Sequence, residues 1–201
     1  MTERDHDAAG AVDRLCILAG GRSSRFGRDK ALEPFPSEPG RETLLARVLR
    51  RLAPLARRRV VVRAAPLADL PAGVEQFADP NPGGGPLVAL ASLFRARAAH
   101  RWFVAPCDSP WLEPELYARL VAELRDAPAA VAWCEGRCEP LVSLFAPSGA
   151  SALAAIAEQS PRLALHAALA QLGARRVDFA DRAPFRNVNT PAELALAECA
   201  T

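Results

Sequence analysis

At 201 residues, with 50% hydrophobic content and a formal net charge of +2, the chain is long enough for one domain with a sizeable core and short for two. Its 25 basic residues are spread along the sequence, which gives nucleic-acid binding little support. Residues 1–13 are polar and read as a disordered tail, leaving 14–201 as the folded domain; no signal peptide and no membrane-length apolar span follows, so a cytoplasmic protein without membrane attachment is expected.

The first element is a short buried strand over the apolar residues Leu15 to Ala19, ended by Gly20-Gly21. The loop after it, Arg22 to Lys30, has the outline of a phosphate cradle. Uncovered backbone N–H groups can converge on one anion there, and Arg25 and Lys30 add full charges. A triphosphate is the expected anion. Lys30 is the only lysine in a chain that uses arginine at every other basic position, and a compact ammonium acts on a phosphate oxygen as a point charge. The loop spells neither G-x-x-x-x-G-K-[ST] nor G-x-G-x-x-G.

Thr43 to Ala53 has helical spacing and is ended by Pro54, and Arg59 to Arg63 reads as a strand covered on both faces. Val74 to Phe77 is a further strand-like run. Asp79 to Pro86 packs three glycines and three prolines into a loop before a helix predicted over Leu87 to Ala98. Pro86 suits the first turn of that helix, and Gly85 leaves room at its N-terminus for an anion or a base edge.

Trp102 to Ala105 is an apolar strand leading through Pro106-Cys107 to Asp108, a carboxylate at the strand end where ligands gather in open α/β sheets. Asp108 is therefore a candidate magnesium ligand. The helix after it starts near Pro114, too late for Asp108 to be its N-cap. Pro114 to Leu124 (helix), Ala129 to Trp133 (strand), Glu139 to Phe145 (strand), Ser148 to Glu158 and Pro161 to Leu172 (helices) and Arg176 to Phe179 (strand) follow. Thr190 and Glu193 form a capping box for a helix at Pro191. Asn187 and Asn189, two residues apart on an extended segment, share a face that can bind a polar heterocycle or a phosphate.

Five cysteines with irregular spacing argue against a disulfide framework. Cys134 and Cys138 have the look of half a zinc site, but no second pair lies nearby. None of His6, His100 and His166 accompanies a nucleophile motif, so histidine base chemistry is not indicated. Alternating strands and helices predict a single-domain α/β three-layer sandwich with a mostly parallel sheet.

Four segments in order resemble the molybdenum cofactor guanylyltransferases of the nucleotidyltransferase superfamily. Leu18-Ala19-Gly20-Gly21 through Lys30-Ala31-Leu32 is similar to L-A-G-G-x-S-x-R-M-G-x-D-K-A-L, with Phe26 for methionine. Gly85-Pro86-Leu87 resembles G-P-L, Pro106-Cys107-Asp108-Ser109-Pro110 resembles P-C-D-x-P, and Asn187-Val188-Asn189-Thr190-Pro191 resembles N-V-N-T-P. The resemblance implies a Rossmann-like nucleotidyltransferase fold and transfer of GMP from GTP to molybdopterin or the molybdenum cofactor, with Mg²⁺ as cofactor. It places Lys30, Arg25 and Asp108 in catalysis and Leu18, Ala19, Gly20, Gly21, Asp79 and Gly85 around the nucleotide. Asn187 and Asn189 fall on the acceptor side. A GTP-binding accessory protein and molybdoenzyme chaperones are the partners it suggests.

Two positions depart from the family. Arg63 stands where relatives often carry an asparagine for guanine, and Glu139 where many have histidine. Cytidylyl transfer to the pterin, transfer to a sugar phosphate and a non-catalytic nucleotide-binding accessory protein are the alternatives. The double glycine favours a purine over CTP, and the joint presence of Lys30 and Asp108 favours catalysis.

Overall fold

The computed structural model describes residues 13–20, 29–37, 40–97 and 100–198. Strand β1 (Asp13–Leu18) sends Leu15 and Ile17 to one face and Cys16 and Leu18 to the other, and all four are buried. Asp13, which composition assigned to the tail, is the first residue of this strand and pairs through both carboxylate oxygens with Arg101 at 2.6 Å. After a one-turn 3-10 segment, Lys30–Leu32, the chain forms a two-stranded hairpin of β2 (Pro34–Ser37) and β3 (Gly40–Thr43). Helix α1 (Leu44–Arg51) follows, with the Thr43 hydroxyl accepting from the Ala46 N–H as its N-cap.

Strands β4 (Arg58–Arg63) and β5 (Val74–Ala78) lead to α2 (Gly85–Ala96), which carries Pro86 in its first turn, and then to β6 (Arg101–Pro106). The second half contains α3 (Pro114–Leu124), a β7 (Ala129–Cys134) and β8 (Arg137–Phe145) hairpin, α4 (Pro147–Gln159), α5 (Leu165–Leu172), β9 (Arg175–Phe179) and α6 (Pro191–Glu198). Among the described residues no helix is long and apolar enough to cross a membrane.

Seven strands form one sheet in the order β5-β4-β1-β6-β8-β7-β9, and every pairing is parallel except the two made by β8. Side chains of α1 and α3 pack with Leu15, Ile17, Val61 and Phe103 on one face. Those of α2, α4 and α5 pack with Cys16, Val60, Trp102 and Val104 on the other, which makes the three layers. From β1 the chain builds outward first through β4 and β5, then returns to place β6 on the opposite side. The ends of β1 and β6 therefore flank the switch point, where crossovers leave a crevice. A third, smaller cluster of Phe35, Leu44 and Val188 ties the β2–β3 hairpin to the segment before α6.

β8 departs from regular pairing in a way that shapes this crevice. Val131 pairs with Ser143, but the next residue, Ala132, pairs with Glu139, so Pro140 to Val142 bulge out of the ladder. The bulge accommodates a proline in a central strand, since Pro140 has no N–H to contribute. Pairing between β6 and β8 stops at Val104 and Ser143, leaving Ala105 and Pro106 without β8 partners.

Two helix starts differ from expectation by two residues or more. The helix predicted from Pro161 begins at Leu165, because Ala164 is extended (ψ 142°) and the preceding residues turn with Leu163 N–H bonded to Ser160 C=O. α2 begins at Gly85 rather than Leu87, extending the helix back through Pro86. The β2–β3 hairpin had no signal in the sequence, where two prolines in Pro34 to Ser37 argue against a strand.

Candidate functional site

The switch point gathers four strand ends, those of β1, β4, β5 and β6, by three backbone bonds that continue the sheet. Cys107 N–H donates to Leu18 C=O at 3.1 Å, Ala19 N–H to Val62 C=O at 3.0 Å and Asp79 N–H to Arg63 C=O at 3.0 Å. Leu18 and Ala19 thus spend part of their backbone holding neighbouring strands together, and both are buried. Gly20 is exposed, and a Cβ built on it would reach nothing closer than 4.0 Å, so the fold itself does not demand glycine there. Close approach of a ligand does give glycine a reason at this position.

Lys30 is brought to the crevice by its 3-10 turn, whose N-cap is Asp29; Asp29 Oδ1 accepts from the Ala31 N–H at 3.2 Å. Lys30 Nζ donates to Asp108 Oδ2 at 2.6 Å and to Asn189 Oδ1 at 3.1 Å. Residues separated by 78 and 159 positions in the chain meet at one ammonium. The side chains of Lys30 and Asp108 keep 17% and 21% of their surface open, enough for a ligand to reach them. The Asp108 segment is bound to the C-terminal motif by two more contacts, Val188 N–H to Asp108 C=O at 2.8 Å and Ser109 Oγ to Asn187 Oδ1 at 2.5 Å. Asn187 and Asn189 are therefore both committed through their carbonyl oxygens, and among the described residues their amide NH₂ groups have no hydrogen-bond partner. The capping box forms as expected: Glu193 N–H donates to Thr190 Oγ1 at 3.2 Å, and Glu193 Oε2 accepts from Thr190 N–H at 3.0 Å.

Asp79 and Gly85 lie at the same sheet edge beyond β4, without a hydrogen bond to the Lys30 cluster. Asp79 Oδ1 accepts from the Asn81 N–H at 2.9 Å, an Asx turn that starts the glycine-proline loop. Gly85 has φ +84° and open space where a Cβ would sit. Gly21 and Arg25 lie outside the described residues.

A cavity of about 540 Å³ opens beside the cluster, lined by Trp111, Arg137, Cys138, Glu139, Arg182, Phe185, Arg186, Asn187, Asn189 and Glu193. Asn189 belongs both to the cavity wall and to the Lys30 contacts, so the two are continuous. Three arginines give the wall a positive bias, and Arg186 sits 4.5 Å over the Trp111 ring. Burial pushes the Glu139 carboxyl above its ordinary value against the opposing pull of Arg182 and Arg137. Burial also drives the thiols up, Cys107 to about 12 and Cys138 to about 11, so neither is a thiolate nucleophile near neutral pH. The assembly of this wall is not readable from the sequence because its residues come from the β7–β8 hairpin, the loop after Pro110, and the chain leading into and through the first turn of α6. Asn187, Asn189 and Glu193 belong to motifs visible in the sequence, Trp111 and Arg186 adjoin such motifs, and Cys138 and Glu139 stand out for other reasons, but nothing local says that they share one wall with Arg137, Arg182 and Phe185.

Arg63 sits inside rather than at the ligand surface. Its side chain is 5% exposed, and its Nη2 pairs with Asp29 Oδ2 while Nε donates to Ala65 C=O at 2.6 Å.

A cluster of one lysine, one strand-end aspartate and an amide at the switch point of a parallel sheet, open to a basic cavity, suits phosphoryl-group chemistry. Residues 15–176 match the family described as MobA-like NTP transferase domain. The molybdenum cofactor guanylyltransferase of Sinorhizobium fredii is 36% identical over 197 residues, covering 90% of this chain and 88% of that protein. In fold, the chain is similar to molybdopterin-guanine dinucleotide biosynthesis protein A from Archaeoglobus fulgidus, with TM-score 0.69, 22% identity and coverage of 93% of this chain and 97% of that one. It is also similar to 2-C-methyl-D-erythritol 4-phosphate cytidylyltransferase from Thermus thermophilus, with TM-score 0.66, 18% identity and coverage of 92% and 96%. The architecture is thus shared by enzymes acting on different bases, and the sequence match is what narrows it: this chain is a nucleotidyltransferase of the MobA-like family, belonging with the molybdenum cofactor guanylyltransferases.

Proposed function

We propose that the protein transfers GMP from GTP to molybdopterin or its molybdenum-loaded form, releasing pyrophosphate, and that Lys30 and Asp108 carry the reaction. The observation behind this is the meeting of Lys30, Asp108 and Asn189 between the exposed Gly20 and the basic cavity. The nucleotide would lie over the ends of β1, β4 and β5, from Gly20 toward Asp79 and Gly85. The acceptor would enter from the cavity, past Asn187 and Asn189.

The acceptor nucleophile is a phosphate oxyanion, so the chemistry needs no strong base; alignment and neutralisation of charge suffice. Lys30 would stabilise the equatorial charge on the α-phosphoryl as it passes from pyrophosphate to the acceptor. Asn189, held by Lys30 through its carbonyl, would offer its NH₂ to the incoming phosphate.

Asp108 fits a magnesium ion that is completed by substrate phosphates. One carboxylate is enough for such an ion, which keeps several waters and takes the rest of its shell from the nucleotide. Lys30 engages only Oδ2, and among the described residues Oδ1 has no protein partner. No group of three or more metal-binding side chains exists among the described residues, so a metal held by protein alone does not fit. When bound, Mg²⁺ would supply charge neutralisation on the triphosphate.

The test is pyrophosphate release with molybdopterin and Mg²⁺, comparing GTP, CTP and ATP, with Lys30→Ala and Asp108→Ala alongside. GTP-selective release lost in both variants supports the reading. Preference for CTP would overturn the base, and full activity in either variant would remove that residue from catalysis.

A further inference from the structure

Glu139 and Arg182 face each other in the cavity wall at ion-pair distance without a hydrogen bond. Arg182 Nη1 lies 3.7 Å from Glu139 Oε1 and 3.8 Å from Glu135 Oε2, both beyond hydrogen-bond distance. The Arg182 Nη1 atom is fully buried and has no hydrogen-bond partner. Glu139 likewise makes no hydrogen bond among the described residues, and its side chain is only 20% exposed. Both side chains line the open cavity, Arg182 37% and Glu139 20% exposed, so a ligand there can complete the hydrogen bonding of both. They are complementary to a ligand edge that offers an acceptor next to N–H donors.

Resting on the proposed reaction, we infer that Glu139 and Arg182 read the 2-amino-4-oxo edge of the acceptor's pterin ring. The Glu139 carboxylate accepts from the ring N3–H and the 2-amino group, while Arg182 donates to the 4-oxo oxygen. The pattern is donor from arginine and paired acceptor from carboxylate, which matches the oxo, N–H, NH₂ sequence along that edge. Guanine carries the same sequence of groups, so the edge chemistry alone fits two rings. The position favours the pterin. Glu139 belongs to the cavity on the β8 side of Asp108, whereas Gly20, Asp79 and Gly85 lie on the β1, β4 and β5 side. The bulge at Pro140 to Val142 makes this possible by ending the β6–β8 pairing before Glu139 is reached.

The experiment is a fluorescence titration of the full chain with pterin and with lumazine, which replaces the 2-amino donor by an oxo group. The wild type should bind pterin roughly tenfold or more tightly than lumazine, as loss of a charge-assisted hydrogen bond implies. Glu139→Gln should abolish that preference, and Glu139→Asp should restore part of it. In turnover, Glu139→Gln should raise KM for molybdopterin about tenfold while KM for GTP and kcat at saturating acceptor change less than threefold. The unchanged GTP constant reports that the variant is folded. Equal binding of pterin and lumazine by the wild type, absence of saturable pterin binding, or a preference that survives in Glu139→Gln would overturn the inference. A rise in KM for GTP instead would show that the pair reads guanine and would also overturn it. Absence of wild-type turnover with GTP and molybdopterin would sink the proposed reaction, while the two-ligand titration would still decide what this edge recognises.

Discussion

Arg63 at the end of β4 holds the same Asp29 carboxylate whose other oxygen caps the turn carrying Lys30. A buried guanidinium thus anchors the backbone from which the ammonium projects. Asp29→Asn would leave Arg63 facing a neutral partner while its side chain stays 5% exposed. The expected cost is about 1.5–3 kcal/mol, typical of a lost hydrogen bond between charged groups. Urea denaturation measures it, and a stability unchanged within 0.5 kcal/mol on the scale of ordinary surface substitutions would show that the pair does not hold the turn.

Lys30→Arg should fail as a conservative change. Nζ makes point contacts to Asp108 and Asn189, whereas a planar fork needs more room and directs its donors differently. Turnover should fall roughly 10²-fold or more, the scale of losing one preorganised donor to a developing charge. Single-turnover pyrophosphate release on a folded variant decides it; retention of half the wild-type rate would mean that charge alone suffices.

Much of this architecture was legible because its signals were local. Continuous apolar runs at Leu15 and Val60 marked strands covered on both faces, and Thr190 with Glu193 marked a helix start. Lys30, Asp108 and Asn189 were each named from motif and placement, and the structure brings all three together. Their contact was not readable, since it depends on the crossover that sets β6 beside β1. Arg63 was visible only as a departure from a pattern. Its inward course depends on Asp29, 34 residues earlier. The cavity wall was hidden for a related reason: it is assembled by a bulge, and nothing in Pro140 alone says where the extra residues go.

Gly149 should tolerate no side chain. It lies in the first turn of α4, and a Cβ there would sit 1.8 Å from the Pro128 carbonyl oxygen, which also accepts from the Ala146 N–H. Neither backbone segment can yield without breaking that bond. Gly149→Ala is expected to cost about 3 kcal/mol or more, lowering Tm by roughly 6–12 °C. A melting temperature within a degree or so of wild type would show that the two segments separate easily, since about 1 kcal/mol corresponds to 2–4 °C at this size.

Glu139 should make stability depend on pH with an inverted sign for a carboxylate. Burial raises its native pKa despite Arg182 and Arg137, with Glu135 and Cys138 also facing this wall. Between the ordinary carboxylate value and the raised one, the native state holds a proton that the unfolded chain has released. Stability therefore falls as pH rises through that window, and the loss is complete above the native pKa. Glu139→Gln should raise Tm relative to wild type at pH 7 and leave it unchanged well below the unfolded carboxylate pKa. A difference independent of pH would remove titration as its cause.

The reversed direction of β8 has an evolutionary consequence. β1, β4, β5 and β6 present their last residues to the crevice and are each followed by a connection to another strand of the same direction. β8 presents its first residues instead, directly after the two-residue link Glu135-Gly136 from β7. A short hairpin tip can be edited in length or chemistry without rerouting any crossover. If the hairpin side takes the acceptor, as proposed, that half of the crevice can be re-specified while the proposed nucleotide half is inherited intact, which gives a single scaffold a way to diversify its partners one side at a time.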